Sequence, residues 1–379
     1  MESGAAAVVV SPSSKGLKDE NENERSFDLK LLHKEADIPK QFIWSASHLV
    51  KGSSEKLDTP FIDLKAIKGD EAAMATAAEL VRKACMKHGF FEVTNHGVDL
   101  SLINATYQEF DSIFKLPLNK KLGARKNPLG YSCGLSDRFS SNLPWKEIFT
   151  YRYNYLHHSD SQVVDFFNSI FHEDFQGIGL VNQKYCEAIK KLSMDILELL
   201  AISLGVDRSH FQRFFEDCEG IVRGNSYPPC KNFNLTFGVG PHCDPTSITI
   251  LHQDQVGGLE VFVDGKWLAV PPRSETPDAF VINIGDTFTA LSNGIYKSCL
   301  HRVLVNEEVE RKSLTFFMNP RGDKTVRPPN NLFENEEQRK YPDFKWSELY
   351  EYTQKRQRAD AETLPNFVTW LRASKPSNF

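Results

Sequence analysis

Four His-x-Asp pairs occur in this chain of 379 residues, and such a pair can supply two ligands to a divalent metal ion. The pairs are His158/Asp160, His172/Asp174, His242/Asp244 and His252/Asp254. The first lies in a polar stretch that predicts a loop, the second in a stretch that predicts a helix, and the fourth in a hairpin-like connection. We therefore expect these three pairs at surface or turn positions.

The remaining pair leads into the apolar run SITILH, which predicts a strand. Because alternate side chains of an extended segment share a face, His242 and Asp244 are predicted to point together while Cys243 points away. A third ligand is expected on a later strand, and His301 is the only histidine after His252 in the sequence. Two histidines and one carboxylate leave coordination positions open, which is typical of non-haem iron(II) oxygenases.

Arg311 and Ser313 open a further predicted strand, RKSLTFFM, shortly after His301. They share one face of that strand by the same alternation. A guanidinium grips a carboxylate through two hydrogen bonds, and a hydroxyl adds a further donor, so the pair predicts a site for the far carboxylate of 2-oxoglutarate. Taken alone, His301 would be interpreted as a core histidine. A zinc hydrolase would also suit the three ligands but gives no reason for Arg311 and Ser313.

Two amphipathic segments predict the helices that support this site. The first follows Asp70 and ends near Gly89, and the second ends at Gly205. The face of the first is Ala77, Leu80, Val81, Ala84 and Cys85, and that of the second is Tyr185, Ile189, Leu192, Ile196, Leu199 and Ser203. PFIDL and FFEVTN predict strands on either side of the first helix, which indicates a mixed α/β start.

From about residue 221, short apolar runs alternate with Gly, Pro and Asn, which predicts an antiparallel sandwich or barrel. WSELYEYTQKRQ and FVTWLRAS predict closing helices. Residues 1–25 are small, Ser-rich and charged, and predict a disordered leader.

Net charge, cysteine spacing and the lack of long apolar stretches indicate which classes of protein do not fit this sequence. The net charge of −5 gives no sign of nucleic acid or an anionic membrane as partner, and no protein partner is implied. The seven cysteines contain no CxxC pair, so reduced thiols are expected. The N-terminal apolar run is too short for a signal peptide, and no stretch approaches the roughly 20 apolar residues of a membrane span. We expect a soluble cytoplasmic protein.

From Pro60 onward the chain resembles the plant 2-oxoglutarate/iron(II)-dependent dioxygenases. The family's metal-ligand pattern matches at His242, Asp244 and His301, and its Arg-x-Ser pattern matches at Arg311 and Ser313. The family's N-x-Y-P-P-C segment matches from Asn225 to Cys230, and FFEVTNHGV matches its N-terminal domain. The resemblance implies that Tyr227 and Asn225 contact 2-oxoglutarate. It also implies an α+β fold in which helices back a double-stranded β-helix, or jelly-roll, core. We expect an N-terminal dioxygenase region at 58–165, the jelly-roll domain at 218–322 and a C-terminal helical closure at 323–379.

LPWKE at 143–147 and GPHCDPTS at 240–247 look like gibberellin 20-oxidases. That resemblance implies iron(II) and 2-oxoglutarate, with ascorbate as reductant, and stepwise oxidation and loss of carbon-20 from C20 gibberellins to give C19 gibberellins and succinate. Ile148 and Ser226 depart from the subfamily pattern, and we expect neither to touch a metal or cosubstrate residue. The alternatives are another gibberellin oxidase, a flavonoid-type dioxygenase of the same fold, or a non-catalytic jelly roll that binds a ligand.

The substrate expected from the resemblance is a diterpenoid acid, which presents carboxylates on an apolar skeleton. One cation at the rim of an apolar pocket would anchor such a ligand. Lys146 is the predicted anchor, with Arg138 nearby in sequence. Trp145 is a further candidate for substrate contact, although a large aromatic residue is more typical of the core.

Overall fold

Strands and helices alternate in the first half of the chain, and strands dominate residues 219–326. The structure is a computed structural model that describes residues 27–32, 34–35, 37–45, 52–135, 141–156, 161–171, 176–355 and 360–374. The strands are β1 (Phe61–Asp63), β2 (Phe90–Thr94), β3 (Arg125–Lys126), β4 (Leu129–Cys133), β5 (Glu147–Asn154), β6 (Glu219–Tyr227), β7 (Val239–His242), β8 (Ile248–Gln253), β9 (Leu259–Val263), β10 (Lys266–Ala269), β11 (Phe280–Ile284), β12 (His301–Val303), β13 (Arg311–Asn319), β14 (Thr325–Val326) and β15 (Phe344–Lys345).

The helices lie mainly before β6 and after β15. The α-helices are α1 (Leu29–Leu32), α2 (Leu64–Ile67), α3 (Glu71–Lys87), α4 (Leu100–Lys115), α5 (Leu118–Gly123), α6 (Gln162–Phe171), α7 (Gln176–Leu204), α8 (His210–Phe214), α9 (Asp286–Leu291), α10 (Trp346–Gln354) and α11 (Thr363–Ser374). Short 3-10 turns occur at Lys40–Phe42, Phe233–Leu235, Asn330–Leu332 and Glu336–Gln338.

Two sheets form the core. The large sheet has the order β1-β2-β11-β8-β13-β6-β5-β4-β3, and the small one has the order β10-β9-β12-β7. Neighbouring strands are antiparallel except β1 and β2. An apolar cluster that includes Phe90, Tyr227, Val261 and Val303 joins strands of the two sheets. The predicted α+β fold with a jelly-roll core is confirmed.

The first predicted helix is α3. Asp70 caps it by accepting a hydrogen bond from the Ala73 amide at 2.9 Å, and the chain leaves it at Gly89, whose φ is +71°. A Cβ on Gly89 would lie 2.1 Å from the Lys297 carbonyl oxygen, so glycine is required there. The predicted face is buried except Leu80, which is 45% exposed; its assignment to the core face is wrong. Leu80 lies on the flank of the stripe, where the helix meets solvent.

The second predicted helix is α7, and all six residues of its predicted face are buried. It packs against α3, α4 and α6, while α4 contacts β6 and β13 of the large sheet. Gly205, with a φ of +74°, ends it as expected. The two predicted closing helices are α10 and α11. Helices α4 and α7 thus pack against one side of the large sheet and leave its other side for a site.

The predicted leader at 1–25 lies outside the described residues. The domain boundaries at 58–165, 218–322 and 323–379 stay predictions, and the large sheet combines strands from the first two of these regions. Within the described ranges, no helix has the length and apolar character needed to cross a membrane.

Candidate metal and cosubstrate site

Two neighbouring strands of the small sheet bring the predicted metal ligands together. His242 on β7 and His301 on β12 are direct cross-strand partners, and Asp244 lies two residues beyond His242. The His242 Nε2 atom is 3.5 Å from Asp244 Oδ1, and the His301 Nε2 atom is 3.8 Å from Asp244 Oδ2. One ligand atom from each residue fits within a span of 4.8 Å, which is the only such group of three found among the described residues.

Backbone carbonyls orient both imidazole rings. His242 Nδ1 lies 3.0 Å from the Gly240 oxygen and 3.1 Å from the His301 oxygen, and His301 Nδ1 lies 3.1 Å from the Cys299 oxygen. A carbonyl can only accept, so each Nδ1 carries the proton and donates it. Each Nε2 lone pair is therefore directed to the space between the three ligands, as metal binding requires.

The carboxylate of Asp244 is fixed by two side chains. Thr249 Oγ1 donates to Asp244 Oδ2 at 2.6 Å, and Asn283 Nδ2 donates to the same oxygen at 3.0 Å. Burial alone raises the pKa of Asp244, but the nearby His301 and His242 and the Thr249 hydrogen bond together hold that pKa well below its usual range. Asp244 is thus ionised at neutral pH.

Burial lowers the pKa of His301 to about 4, and the neighbouring His242 adds to the effect. The His301 ring is therefore neutral at physiological pH. A neutral imidazole and an ionised carboxylate are the protonation states in which these groups bind a divalent metal. The donor set fits iron(II), with coordination positions left for other ligands.

The predicted 2-oxoglutarate residues form two adjacent cross-strand pairs on β13 and β6. Arg311 stands opposite Tyr227, and Ser313 stands opposite Asn225. The Arg311 guanidinium lies 5.0 Å from the Tyr227 ring centre, and its Nη2 donates to Gln253 at 3.1 Å. The other two nitrogens, Nε and Nη1, are buried and have no hydrogen-bond partner among the described residues.

A buried guanidinium with two unpaired nitrogens is costly unless an anion accepts their hydrogen bonds. The Ser313 hydroxyl lies on the same side and is 3.3 Å from the Asn225 amide nitrogen. Arg311 and Ser313 therefore fit the far carboxylate of 2-oxoglutarate.

One cavity of about 430 Å³ contains both sets of residues. Its inner part is lined by the three predicted metal ligands, and its apolar wall includes Phe90, Leu251, Leu259, Val303 and Phe317. Exposed residues of the lining, which include Asn127, Arg152 and Gln354, mark its opening to solvent. A cavity of this size suits a small-molecule ligand.

Comparison with known proteins agrees with this geometry. The model of the 2OG-Fe(II) oxygenase superfamily matches residues 218–320, and that of the non-haem dioxygenase in morphine synthesis N-terminal region matches residues 59–171. The chain belongs to the 2OG-Fe(II) oxygenase superfamily. It is accordingly a 2-oxoglutarate/iron(II)-dependent dioxygenase, and the enzyme class predicted from the sequence is confirmed.

Several relatives of this oxygenase are plant enzymes. It is 48% identical to gibberellin 20 oxidase 3 of Arabidopsis thaliana, over 93% of this chain and 94% of that one. It is 47% identical to gibberellin 20 oxidase 1-D of Triticum aestivum, over 91% and 96%. The crystal structure of JOX2 in complex with 2OG, Fe and JA superposes with a TM-score of 0.78 at 29% identity, covering 91% of this chain and 98% of that chain.

Residues of the LPWKE segment of the oxygenase lie in two places, some in the lining of the cavity and others in the protein core. Lys146 lines the cavity, and its Nζ donates to Asn225 Oδ1 at 3.1 Å, so it lies at the cosubstrate end. Burial, with the nearby charges of Arg223 and Arg311, lowers the pKa of Lys146 well below its usual value. Trp145 is fully buried, donates to the Pro228 oxygen at 3.0 Å, and has the position of a core aromatic. Arg138 lies outside the described residues.

Glu147, the last residue of that segment, points away from the cavity. It forms a buried ion pair with Lys121 and accepts a hydrogen bond from the Tyr131 hydroxyl at 2.5 Å. The role of Glu147 is therefore to fix β5 against β4 and α5, which places Lys146 on the opposite side.

The position of His252 corrects an expectation from the sequence. The pattern predicts His252 in a turn at the surface, but the residue lies within β8, is buried, and is 2.9 Å from the Tyr107 hydroxyl through Nδ1. The strand continues beyond its apolar run because β13 pairs with it there, Leu314 standing opposite His252. The His252 side chain packs against the rings of Tyr107 and Phe280. The pairs at 158/160 and 172/174 lie outside the described residues.

The two departures from the subfamily pattern differ in position. Ile148 stands directly opposite Asn225, so the expectation that it avoids cosubstrate residues is wrong. The side chain of Ser226 faces the other way and donates to Glu310 at 2.6 Å.

Four residues of the site are missed at the sequence level: Thr249, Asn283, Arg223 and Arg152. Arg223 could have been found, because it precedes Asn225 by two residues on one strand and so shares its face. Arg152 requires the pairing of β5 with β6, and Asn283 requires the pairing of β11 with β8. Such long-range register has no local signal.

Proposed function

We propose that this oxygenase is a gibberellin 20-oxidase. It oxidises carbon-20 of C20 gibberellins in steps and removes it to give C19 gibberellins, while 2-oxoglutarate is converted to succinate. The observation that carries the proposal is 45–48% identity, over at least 91% of the chain, to gibberellin 20 oxidases of several plants. The intact ligand set and the two unpaired nitrogens of the Arg311 guanidinium support catalysis over a purely ligand-binding role.

The residues have separate tasks in this reaction. His242, Asp244 and His301 hold iron(II), and Thr249 and Asn283 keep the Asp244 carboxylate in orientation. When bound, iron(II) and 2-oxoglutarate together supply the activation of dioxygen and the oxidation of the substrate.

Arg311 and Ser313 bind the far carboxylate of 2-oxoglutarate, and the Tyr227 ring packs beside the Arg311 guanidinium. Asn225 and Lys146 complete that end of the cavity. Because this end is buried, water is excluded from the cosubstrate and the hydrogen bonds of Arg311 are strengthened.

The apolar wall suits a diterpenoid skeleton, and the basic side chains of the cavity suit its carboxylates. Lys146 lies beside Asn225 and lines the cavity. Its contact with a carboxylate of the substrate stays a prediction. Ascorbate as reductant and a cytoplasmic location are further parts of this proposal.

The test is mass spectrometry of products from a C20 gibberellin incubated with the protein, iron(II), ascorbate and 2-oxoglutarate. We expect oxidised C20 intermediates followed by a C19 product. A hydroxylated product that retains carbon-20 would indicate another gibberellin oxidase. Turnover of flavonoids without turnover of gibberellins would contradict the proposal. The variant Asp244→Ala serves as the inactive control.

A further inference from the structure

The cavity is strongly basic although the protein is acidic overall. Four of the described lining residues have basic side chains, namely Lys146, Arg152, Arg223 and Arg311, whereas Asp244 is the one acidic residue in the described lining. The whole chain carries a net charge of −5. The charge of the cavity is therefore a local feature, as expected of a binding site for anions.

The arginines of this lining lie on the cavity-facing side of the large sheet, in rows of residues that stand opposite one another on neighbouring strands. Ser313 pairs with Asn225, and the next row toward solvent pairs Thr315 with Arg223 and Arg223 with Thr150. Successive rows on one face are two residues apart, which is about 7 Å along a strand. Arg223 thus lies one row beyond the predicted cosubstrate residues.

The next row outward continues the series. It pairs Phe317 with Ile221 and Ile221 with Arg152, and all three line the cavity. A second arginine therefore follows the first, farther from the metal ligands, with an apolar surface beside it.

The Arg223 side chain is held in place inside the cavity. Its Nε donates to Thr150 Oγ1 at 3.1 Å, and its guanidinium lies 5.4 Å from the Phe317 ring centre. Phe317 belongs to the outer row, so the guanidinium leans away from Arg311 and toward the opening. A half-buried, oriented guanidinium of this kind is suited to a carboxylate.

Arg152 stands at the opening. It lines the cavity and is solvent-exposed. Its charge can attract an anionic ligand from solution and contact a group that remains partly hydrated.

Two of the basic side chains lie away from the cosubstrate end of the cavity. Arg311 and Lys146 lie at that end, beside Tyr227 and Asn225 respectively. Arg223 and Arg152 belong to the rows farther out. A ligand with two carboxylates on an apolar skeleton would match the two arginines and the wall formed by Ile221 and Phe317.

We propose that Arg223 and Arg152 are specificity-determining residues, which bind two carboxylates on the apolar skeleton of the substrate. Arg223 takes the inner carboxylate and Arg152 the outer one. The inference deepens the proposed function, on which it rests for the reaction carried out. Both arginines are positioned to determine specificity, because neither lies among the metal or cosubstrate residues.

The kinetic test uses a C20 gibberellin dicarboxylic acid and its two monomethyl esters. We expect Arg223→Gln to raise the KM for the diacid about tenfold to a hundredfold, as for the loss of a charge-assisted hydrogen bond. The KM for the cosubstrate should stay unchanged. Arg223→Lys should fall between Arg223→Gln and wild type. Arg152→Gln should raise the diacid KM only a few-fold, with a strong dependence on salt, because this residue is exposed.

The esters assign each carboxylate to its arginine. One monoester lacks the carboxylate that Arg223 binds. Its KM with wild type should be high, and Arg223→Gln should raise that KM little further. The other monoester lacks the carboxylate that Arg152 binds, so Arg152→Gln should change its KM little. Arg213→Gln, which alters an exposed arginine of α8, is the control and should match wild type.

A binding measurement separates this inference from the proposed function. The protein is loaded with manganese(II) and 2-oxoglutarate, and calorimetry compares the diacid, its dimethyl ester and abietic acid, an apolar monocarboxylate. We expect the diacid to bind most tightly, the monocarboxylate less tightly and the diester most weakly. In Arg223→Gln these differences in affinity should disappear. If the wild type binds the diester as tightly as the diacid, or if both arginine variants keep the diacid affinity within about twofold, the inference is overturned, whether or not gibberellins are oxidised.

Discussion

His242 and His301 stand directly opposite each other on neighbouring antiparallel strands, with ring centres 4.1 Å apart. The His301 carbonyl accepts from His242 Nδ1, so one ligand orients the ring of the other. The metal site therefore depends on the register of β7 with β12, and a slip of one strand by one residue would send its histidine to the opposite face of the sheet.

The two donors to Asp244 should control metal affinity. We predict that Asn283→Ala and Thr249→Val each weaken iron(II) binding roughly tenfold to a hundredfold, because Asp244 Oδ2 loses a hydrogen bond that orients it. Anaerobic calorimetric titration measures the effect. Thr76→Val removes a hydroxyl on α3 far from the site and should leave the affinity unchanged. Normal affinity in both site variants would contradict the assigned role.

Arg311 should act on the cosubstrate. We predict that Arg311→Lys raises the KM for the cosubstrate 2-oxoglutarate about tenfold or more, because an ammonium cannot replace the two-pronged grip of a guanidinium. Ser313→Ala should have a smaller effect, about threefold to tenfold. Both are measured by succinate release at varied 2-oxoglutarate concentration. A rise in the gibberellin KM with no change in the cosubstrate KM would instead assign Arg311 to the substrate.

Local sequence pattern is enough to predict much of the fold and the metal site. Helices α3 and α7, the strands around the site, and the shared faces of Arg311/Ser313 and His242/Asp244 follow from periodicity. Leu80 is misplaced because the edge of an amphipathic stripe has no sharp signal. His252 is misplaced because a turn and a strand end have similar residues.

The features that the sequence does not reveal depend on pairing between distant strands. Asn283 reaches Asp244, and Arg152 joins Arg223, only through the order of the large sheet. The opposite directions of Lys146 and Glu147 likewise depend on distant partners, which are Asn225 for Lys146 and Lys121 for Glu147. Local pattern contains no information on these partners.

The buried pair of Lys121 and Glu147 should contribute to stability rather than to catalysis. We predict that Glu147→Gln lowers the free energy of unfolding by about 3–5 kcal/mol, because it leaves the Lys121 ammonium buried without its counter-charge. The double variant Lys121→Met/Glu147→Gln should lose less than the sum of the single changes. Urea unfolding measures these values.

An exposed pair provides the matched control for that experiment. Lys83 and Glu79 lie on the solvent side of α3, with a distance of 3.3 Å between charged atoms. Lys83→Met should leave the stability nearly unchanged, because exposed ion pairs contribute little. Equal effects at the buried and the exposed pair would contradict the structural role of Glu147.

Stability should fall in mild acid because of buried histidines. Burial lowers the pKa of His252 from 6.5 to about 4. The unfolded chain therefore takes up a proton between pH 6.5 and pH 4 that the folded protein excludes, so stability is full above pH 6.5 and declines as the pH falls. At pH 5 the loss is roughly 2 kcal/mol from this residue. His88, with a pKa also lowered to about 4, adds to it.

Urea unfolding at pH 7.5 and pH 5 measures this dependence. His252→Gln can keep a contact to the Pro277 oxygen but cannot be protonated, so the difference between the two pH values should shrink. A difference equal to that of the wild type would contradict the assignment to His252.

Succinate formed from 2-oxoglutarate, measured together with the gibberellin product, tests most directly that the protein couples gibberellin oxidation to 2-oxoglutarate decarboxylation at the iron held by His301. We predict that a C20 gibberellin stimulates succinate release, that each oxidation step is matched by one succinate, and that His301→Ala abolishes both. Gibberellin oxidation without succinate, or an unchanged rate in His301→Ala, would contradict it.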